Sequence, residues 1–383
     1  MKENVWLKIS LLSVSLFIMS HLAIAPAIPK LYAFYQAKGA GVSLASVETL
    51  VTIPAMMIMV TVVLGNVIVA KIGKKKTVEI GLVLIFLSGL LSFLASDFNI
   101  ALLGRLLLGV GIGLYNPLSI TMISDYFQGS QRACLIGLRT ATMNVGKTLT
   151  TFIVGYAMLM GASYIYLVYF LVIPVFLLFH HFVEEVPLTE QQLSKLVVFD
   201  RRVILWMLIT FFIGVAYIGA TIKIPTLLVT HYGYDELVSS HILTLLAFSG
   251  ILAGLSFGFL AKKMAEQTLS FMLVMMLVGN LFFTVSNHMI FFYVGAVLIG
   301  FSFVGGMSAI FDAIAKSYPA EKINFVTSMA ITAGNVGVIL TPVLLTKMVS
   351  ALSLESYITP FYITSAMMVI GLLCYKLLRG NKR

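Results

Sequence analysis

Apolar residues fill this chain in long blocks separated by short polar or Gly/Pro-containing loops. A helix needs about 20 mostly apolar residues to cross a hydrocarbon core roughly 30 Å thick. Blocks of that kind fall near residues 6–29, 44–69, 78–95, 100–124, 133–158 and 164–183, and again near 202–228, 238–261, 269–286, 289–315, 325–346 and 357–378. The pattern predicts an all-α membrane protein of twelve transmembrane helices in two six-helix bundles, residues 1–183 and 202–383. Between them the long polar stretch "EEVPLTEQQLSKLVVFDRR" supplies a linker at 184–201. The opening "MKENVWLKISLLSVSLFIMSHLAIA" mimics a signal peptide, but its apolar run is long enough to stay in the bilayer as a first helix.

Composition agrees with the pattern: of 383 residues, 60% are hydrophobic and 10% charged, and the mean hydropathy of +1.03 lies far above the range of water-soluble domains. A net charge of +10 raises the question of nucleic acid. The basic residues are scattered over short loops rather than gathered on one stripe with aromatics, so no nucleic-acid partner is expected. An even number of spans puts both termini on one side. Lys2, Lys8, Lys71, Lys74, Lys75, Lys76, Arg132, Lys195, Arg201, Arg202, Lys262, Lys263, Lys316, Lys322 and the basic tail then share it. By the positive-inside rule that side is cytoplasmic, for a multi-pass protein of the cell membrane. Cys134 and Cys374 show neither metal-like spacing nor a disulfide framework. No cofactor and no metal are expected, and the chain is expected to act as a monomer.

The two halves echo one another. "NVGKTLT" from Asn144 matches "NVGVILT" from Asn335, 191 residues on, and Gly104 and Gly109 find Gly295 and Gly300 at the same displacement. Further back, "NVIVAKIGKK" from Asn66 matches "GFLAKKMAEQ" from Gly258, 192 residues on. Parallel six-helix repeats suit a secondary transporter that holds its substrate near the bilayer midplane.

Over its whole length the sequence resembles the major facilitator superfamily. The loop after the second span, "NVIVAKIGKKK", is similar to the family signature of Gly, two apolar positions, a small residue, Asp, Arg, any residue, Gly and two basic residues. Lys71, Gly73, Lys74 and Lys75 match, whereas Asn66 replaces the first Gly and Ala70 the Asp. The fourth span holds "RLLLGVGIG", which resembles the Arg-plus-Gly-rich signature through Arg105, Gly109, Gly111 and Gly113, with Leu108 where a polar residue belongs. Asp125 and Arg132 resemble the acidic-then-basic pair that follows. The Gly-Pro pair of the antiporters is missing at Thr150 and Thr151. The resemblance implies alternating access, with Lys71, Gly73, Lys74, Lys75, Asp125 and Arg132 as a conformational switch in which Asp125 pairs with Lys71 or Arg132.

Charges inside spans narrow the chemistry, because a lone ion near the bilayer centre costs at least about 3 kcal/mol and faces a partner or a cavity. Arg105, Arg139 and Lys147 are such residues. Arg139, Met143, Lys147 and Thr151 follow a four-residue spacing, so they share one helix face, with Arg139 and Lys147 about 12 Å apart along the axis. Asn144 and Asn116 are close enough in sequence to join them in binding substrate, or to hold them as structural partners. Lys30 and Lys223 fall near span ends and are expected to snorkel, and Asp312 and Lys316 are spaced for an intrahelical pair. His21, inside the first span, is the proton-coupling candidate.

The run Gly146, Lys147, Thr148 imitates the end of a P-loop, but Ala141 stands where the earlier Gly belongs and the segment is a membrane span. ATP hydrolysis is therefore not expected; a polytopic membrane enzyme, for which no paired carboxylates or His/Asp set is found, and a channel, for which no pore loop is evident, are remote alternatives. The expectation is a secondary transporter of a small molecule, first as proton-coupled efflux of drugs or metabolites, with uptake or exchange of an organic anion as the alternative.

Overall fold

The computed structural model describes residues 5–39, 41–95, 97–186, 200–285, 288–353 and 356–380. The described residues are helical nearly throughout, without a strand. Ten stretches among them are long and apolar enough to cross a membrane, one of which, Glu236–Val285, contains two helices. The 32-residue helix Gly129–Met160, which carries Arg139 and Lys147, is not among the ten. Contacts divide the chain into two compact units, Met1–Gln191 and Gln192–Arg383, a division inside the expected linker. Most of that linker, 187–199, lies outside the described residues.

The first unit holds α1 (Val5–Ala37), α2 (Leu44–Ile72), α3 (Lys74–Leu94), α4 (Phe98–Tyr126), α5 (Gly129–Met160) and α6 (Ser163–Phe182). α1 is not a continuous helix. Its two α-helical ends, Val5–Ser13 and Ile28–Ala37, are joined by three tight 3₁₀ turns, Val14–Phe17, Ser20–Leu22 and Ala25–Ala27. Pro26 and Pro29 lack the N–H groups that a regular helix needs there. α4 breaks at Asn116–Pro117 for the same reason, and α6 begins with 3₁₀ turns over Ser163–Leu171. Side-chain caps start several helices: the Asp97 carboxylate accepts from the Asn99 N–H at 2.7 Å and Asp200 from Val203 at 2.9 Å.

The second unit holds α7 (Arg201–His231), α8 (Glu236–Met264), α9 (Thr268–Val285), α10 (Met289–Ser317), α11 (Ala320–Pro342 with its continuation to Ala351) and α12 (Thr359–Gly380). Pro225 and Pro342 are each followed by a widened π turn, Thr226–His231 and Val343–Lys347. Such turns absorb the bond a proline cannot make. Lys223 does not snorkel: it is buried, and its Nζ donates to Thr346 Oγ1 at 2.6 Å, tying α7 to the wide turn of α11. Lys316 and Asp312 form the intrahelical pair at 2.5 Å.

Glycines let these helices approach backbone to backbone. A Cβ on Gly109 would stand closer than 3.0 Å to Pro54 of α2, and one on Gly300 to Leu246 of α8. On Gly146 it would meet the Leu16 backbone of α1, and on Gly337 the Phe211 carbonyl of α7. Gly104 is pressed against Ser92 of α3, and Gly295 against Gly279 of α9. In a bilayer, where lipid is as apolar as Leu, such close contact is a main source of helix association. Gly137, by contrast, has nothing within 4 Å and serves no such contact. Outward-facing Leu94, Met160, Leu255 and Phe259 are well exposed, as lipid-facing side chains are.

Gly146→Ala and Gly300→Ala should each destabilise by about 1–3 kcal/mol through overpacking, outweighing Ala's better helix propensity. Gly254→Ala, which meets nothing within 4 Å, should leave the apparent Tm unchanged or slightly raised. Thermal melts of the three variants in one detergent check this, and equal Tm values would contradict it.

Candidate functional site

The first unit buries an unusual set of polar groups. Arg105 on α4 is fully buried. Its Nε donates to the Leu50 carbonyl of α2 at 2.6 Å, one terminal nitrogen donates to the His21 carbonyl of α1, and the other to the Tyr169 hydroxyl of α6. Tyr169 in turn donates to the Ser20 carbonyl at 3.1 Å. The broken course of α1 explains the arrangement, because its 3₁₀ turns leave the His21 carbonyl to a side-chain donor, while the Ser20 carbonyl accepts the Ala23 N–H at 3.0 Å and takes Tyr169 on its second lone pair. Arg105 thus ties four helices together, and its acceptors are all neutral oxygens.

A second cation lies further along. Arg139 on α5 donates through Nε to Ser119 Oγ at 2.6 Å, and through a terminal nitrogen to Asn116 Oδ1 at 2.8 Å and the Asn116 carbonyl at 3.2 Å. Pro117 produces these acceptors. At the break in α4 the Ile120 N–H bonds to the Pro117 carbonyl at 3.1 Å, so the Asn116 carbonyl is left to accept from Ser119 Oγ at 2.6 Å and from Arg139. Tyr115, in the field of Arg139, keeps a buried hydroxyl with no hydrogen-bond partner among the described residues.

Lys147 on α5 is 2% exposed. Its neighbour Gly146 seats α5 directly on the α1 backbone, which brings the ammonium close enough to act electrostatically on the His21 ring, as Arg105 does. His21 Nδ1 is buried and finds no partner among the described residues. Asn144 turns back on its own helix, donating to the Thr140 carbonyl at 3.1 Å. Of the acidic residues, Glu48 of α2 is fully buried in this unit.

The signature loop forms a separate cluster at the other end of α2 and α3. Gly73 adopts φ +87° and is the whole connection between the two helices. The Glu185 carboxylate sits where a Cβ on Gly73 would be, and accepts from the Lys74 N–H at 2.7 Å and the Lys75 N–H at 3.0 Å. Anions suit that place, the N-terminus of α3. Asp125 pairs with Lys74 at 2.7 Å, both largely buried, rather than with Lys71 or Arg132, which are exposed. Lys74 wins because it is the first residue of α3 and points across to the end of α4. Lys75 donates to the His180 carbonyl at 2.9 Å, and His180 Nδ1 meets Glu79 at 2.9 Å. Tyr126 and Glu184 exchange bonds at 2.7 and 3.0 Å.

The model of the Major Facilitator Superfamily matches residues 10–342 and 224–383, together nearly the whole chain. The chain belongs to the major facilitator superfamily. No curated protein matches it. It is therefore a multi-pass membrane protein and a secondary transporter of small molecules, not an enzyme. Among the described residues no cluster of His, Cys, Asp and Glu could hold a metal ion.

Arg105 spends its fork on three helices, and Lys147 is a compact point charge whose field reaches the His21 ring. Spacing along the chain pointed to Arg105, Arg139, Lys147 and Asn116. It gave no sign of Tyr169, Ser119 or Glu185, whose roles arise only where helices cross, although Pro117 marked the break that makes Ser119 useful.

Arg105→Lys should lower the apparent Tm even though charge is kept, since an ammonium cannot reach acceptors on three helices in the plane of a guanidinium. The cost should be about 2–5 kcal/mol, that of buried acceptors left unmade. A melt of Arg105→Lys equal to wild type would show that the four-helix tie is not structural.

Proposed function

We propose that this facilitator moves a small organic anion by alternating access, with Lys147 as the cation that meets it. The observation that carries the reading is the charge balance inside the first unit's spans. Arg105, Arg139 and Lys147 are buried there together with Glu48, an excess of two positive charges. A buried excess charge is costly in low dielectric, and a substrate of opposite sign offsets it. Arg105 and Arg139 hold the frame through neutral oxygens, and Lys147 recognises the substrate. His21, in the field of two cations, serves better as a hydrogen-bond partner for an anion than as a proton carrier. The same balance disfavours export of cationic drugs, which calls for buried acids.

The reading includes twelve crossings in two six-helix repeats, with both termini cytoplasmic. Three glycine pairs related by 191 residues support the repeat, since each member presses on the corresponding helix of its own unit: α4 on α2 and α10 on α8, α4 on α3 and α10 on α9, α5 on α1 and α11 on α7. The basic loops support the orientation.

Proteoliposomes given a panel of organic anions and cationic dyes, with and without a pH gradient, test the proposal. Saturable transport of an organic anion is expected, and Lys147→Ala should slow it tenfold or more, the effect of losing about 1.4 kcal/mol, while the apparent Tm stays near wild type. Wild-type rates for that variant, or transport of cations alone, would overturn the proposal.

A further inference from the structure

The second unit contains a cavity of about 150 Å³ where α7 begins and α12 ends, walled also by α9 and α10. Its floor is apolar: Trp206, Leu269, Ala309 and Leu378 line it. Its rim is charged, with Arg202, Lys316 and Arg379 against Glu266 and Asp312, one positive charge in excess. The ion pairs of the rim also build the wall. Arg379 meets Glu266 at 3.0 Å, and the Tyr375 hydroxyl donates to the Glu266 carbonyl at 2.7 Å, so the short turn between α8 and α9 is pinned to α12.

Two observations set this cavity apart from a packing gap. Trp206 is 3% exposed, yet its Nε1 has no hydrogen-bond partner among the described residues. An indole N–H can only donate, and buried donors are nearly always paired. Ala265, also in the wall, holds φ at +47°, a conformation that costs an L residue energy and gathers at binding sites.

We propose that this cavity is a binding site for a small organic anion with an apolar body. The site shares no residue with the candidate substrate site. A cavity of this volume accepts a group the size of benzene. The body lies on the apolar floor, an acceptor oxygen takes the Trp206 N–H, and the anionic charge balances the rim. The same chemistry is offered by a dissolved carboxylate and by an anionic lipid headgroup.

The chain's two tryptophans make the test direct. Trp6, in the first unit, is exposed and stacked on Phe182 at 5.5 Å, so Trp6→Phe leaves Trp206 as the sole indole reporter. Titrating that variant in detergent with benzoate should change its emission saturably. In the same background Arg379→Gln should weaken binding about tenfold, as for one lost charge-assisted hydrogen bond. Ala313→Leu, which fills the cavity from its wall, should abolish the response while the emission without benzoate still reports a buried indole. A response linear in benzoate would overturn the proposal, as would a saturable one that both substitutions leave unchanged. Repeating the titration in nanodiscs with and without phosphatidylglycerol separates the sources. Competition by the anionic lipid marks a headgroup as the occupant, and an unchanged response marks a dissolved anion; either supports the site.

Discussion

Arg105 cannot be hydrated where it lies, and much of the first unit follows from that. Inside a bilayer each buried polar group must find its partner in the protein. A guanidinium offers five N–H groups in one plane, so its acceptors must come from several directions at once. Here α1, α2 and α6 supply them, two as main-chain carbonyls and one as a tyrosine hydroxyl. A carbonyl is open to such a donor only where the helix ladder is interrupted or shared. The 3₁₀ turns of α1 are therefore part of how the unit tolerates a buried cation. Pro117 does the same for Arg139, releasing the Asn116 carbonyl.

Much of this architecture was legible in the chain itself, because a crossing helix has a length and an apolarity fixed by the bilayer. The all-helical build and the long apolar helices follow from that single constraint. The geometry within spans was less legible. Pro26, Pro29, Pro225 and Pro342 mark interruptions, but whether the chain responds by tightening into 3₁₀ turns, as in α1, or widening into π turns, as in α7 and α11, depends on the neighbouring helix. Partners across helices were not legible at all. Nothing in the spacing of residues 74, 125 and 185 says that Lys74, rather than Lys71 or Arg132, receives Asp125, or that Glu185 caps α3. Gly137 shows the converse limit: it has the composition of a packing glycine and faces open space.

The loop after α2 illustrates how a changed signature keeps its physics. Ala70 stands where an acid is expected, and the basic residues that follow would be left in excess. Glu185 and Asp125 supply the missing negative charge from elsewhere, one on the N-terminal amides of α3 and one on the Lys74 ammonium. Both lie within the first unit. Because Glu185 occupies the space beside Gly73, the linker's first residues are held at the same point where α2 turns into α3.

Positions 191 residues apart share their helix contacts but not their charges. Gly146 and Gly337 are both pressed on a neighbouring backbone, so the residue after each leaves its helix from a similarly fixed frame. That residue is Lys147 in the first unit and Val338 in the second. The same step takes Arg105 to Ala296 and Arg139 to Ala330, two buried alanines. Tight helix contacts are kept at these positions while each cation is replaced by an apolar side chain. Packing alone does not require a charge there, since the second unit packs without one. Arg105 and Arg139 have become ties of the first unit's own frame, whereas Lys147 follows a close glycine contact that the second unit keeps without a charge, which is why the proposed substrate contact is placed on Lys147 rather than on either arginine.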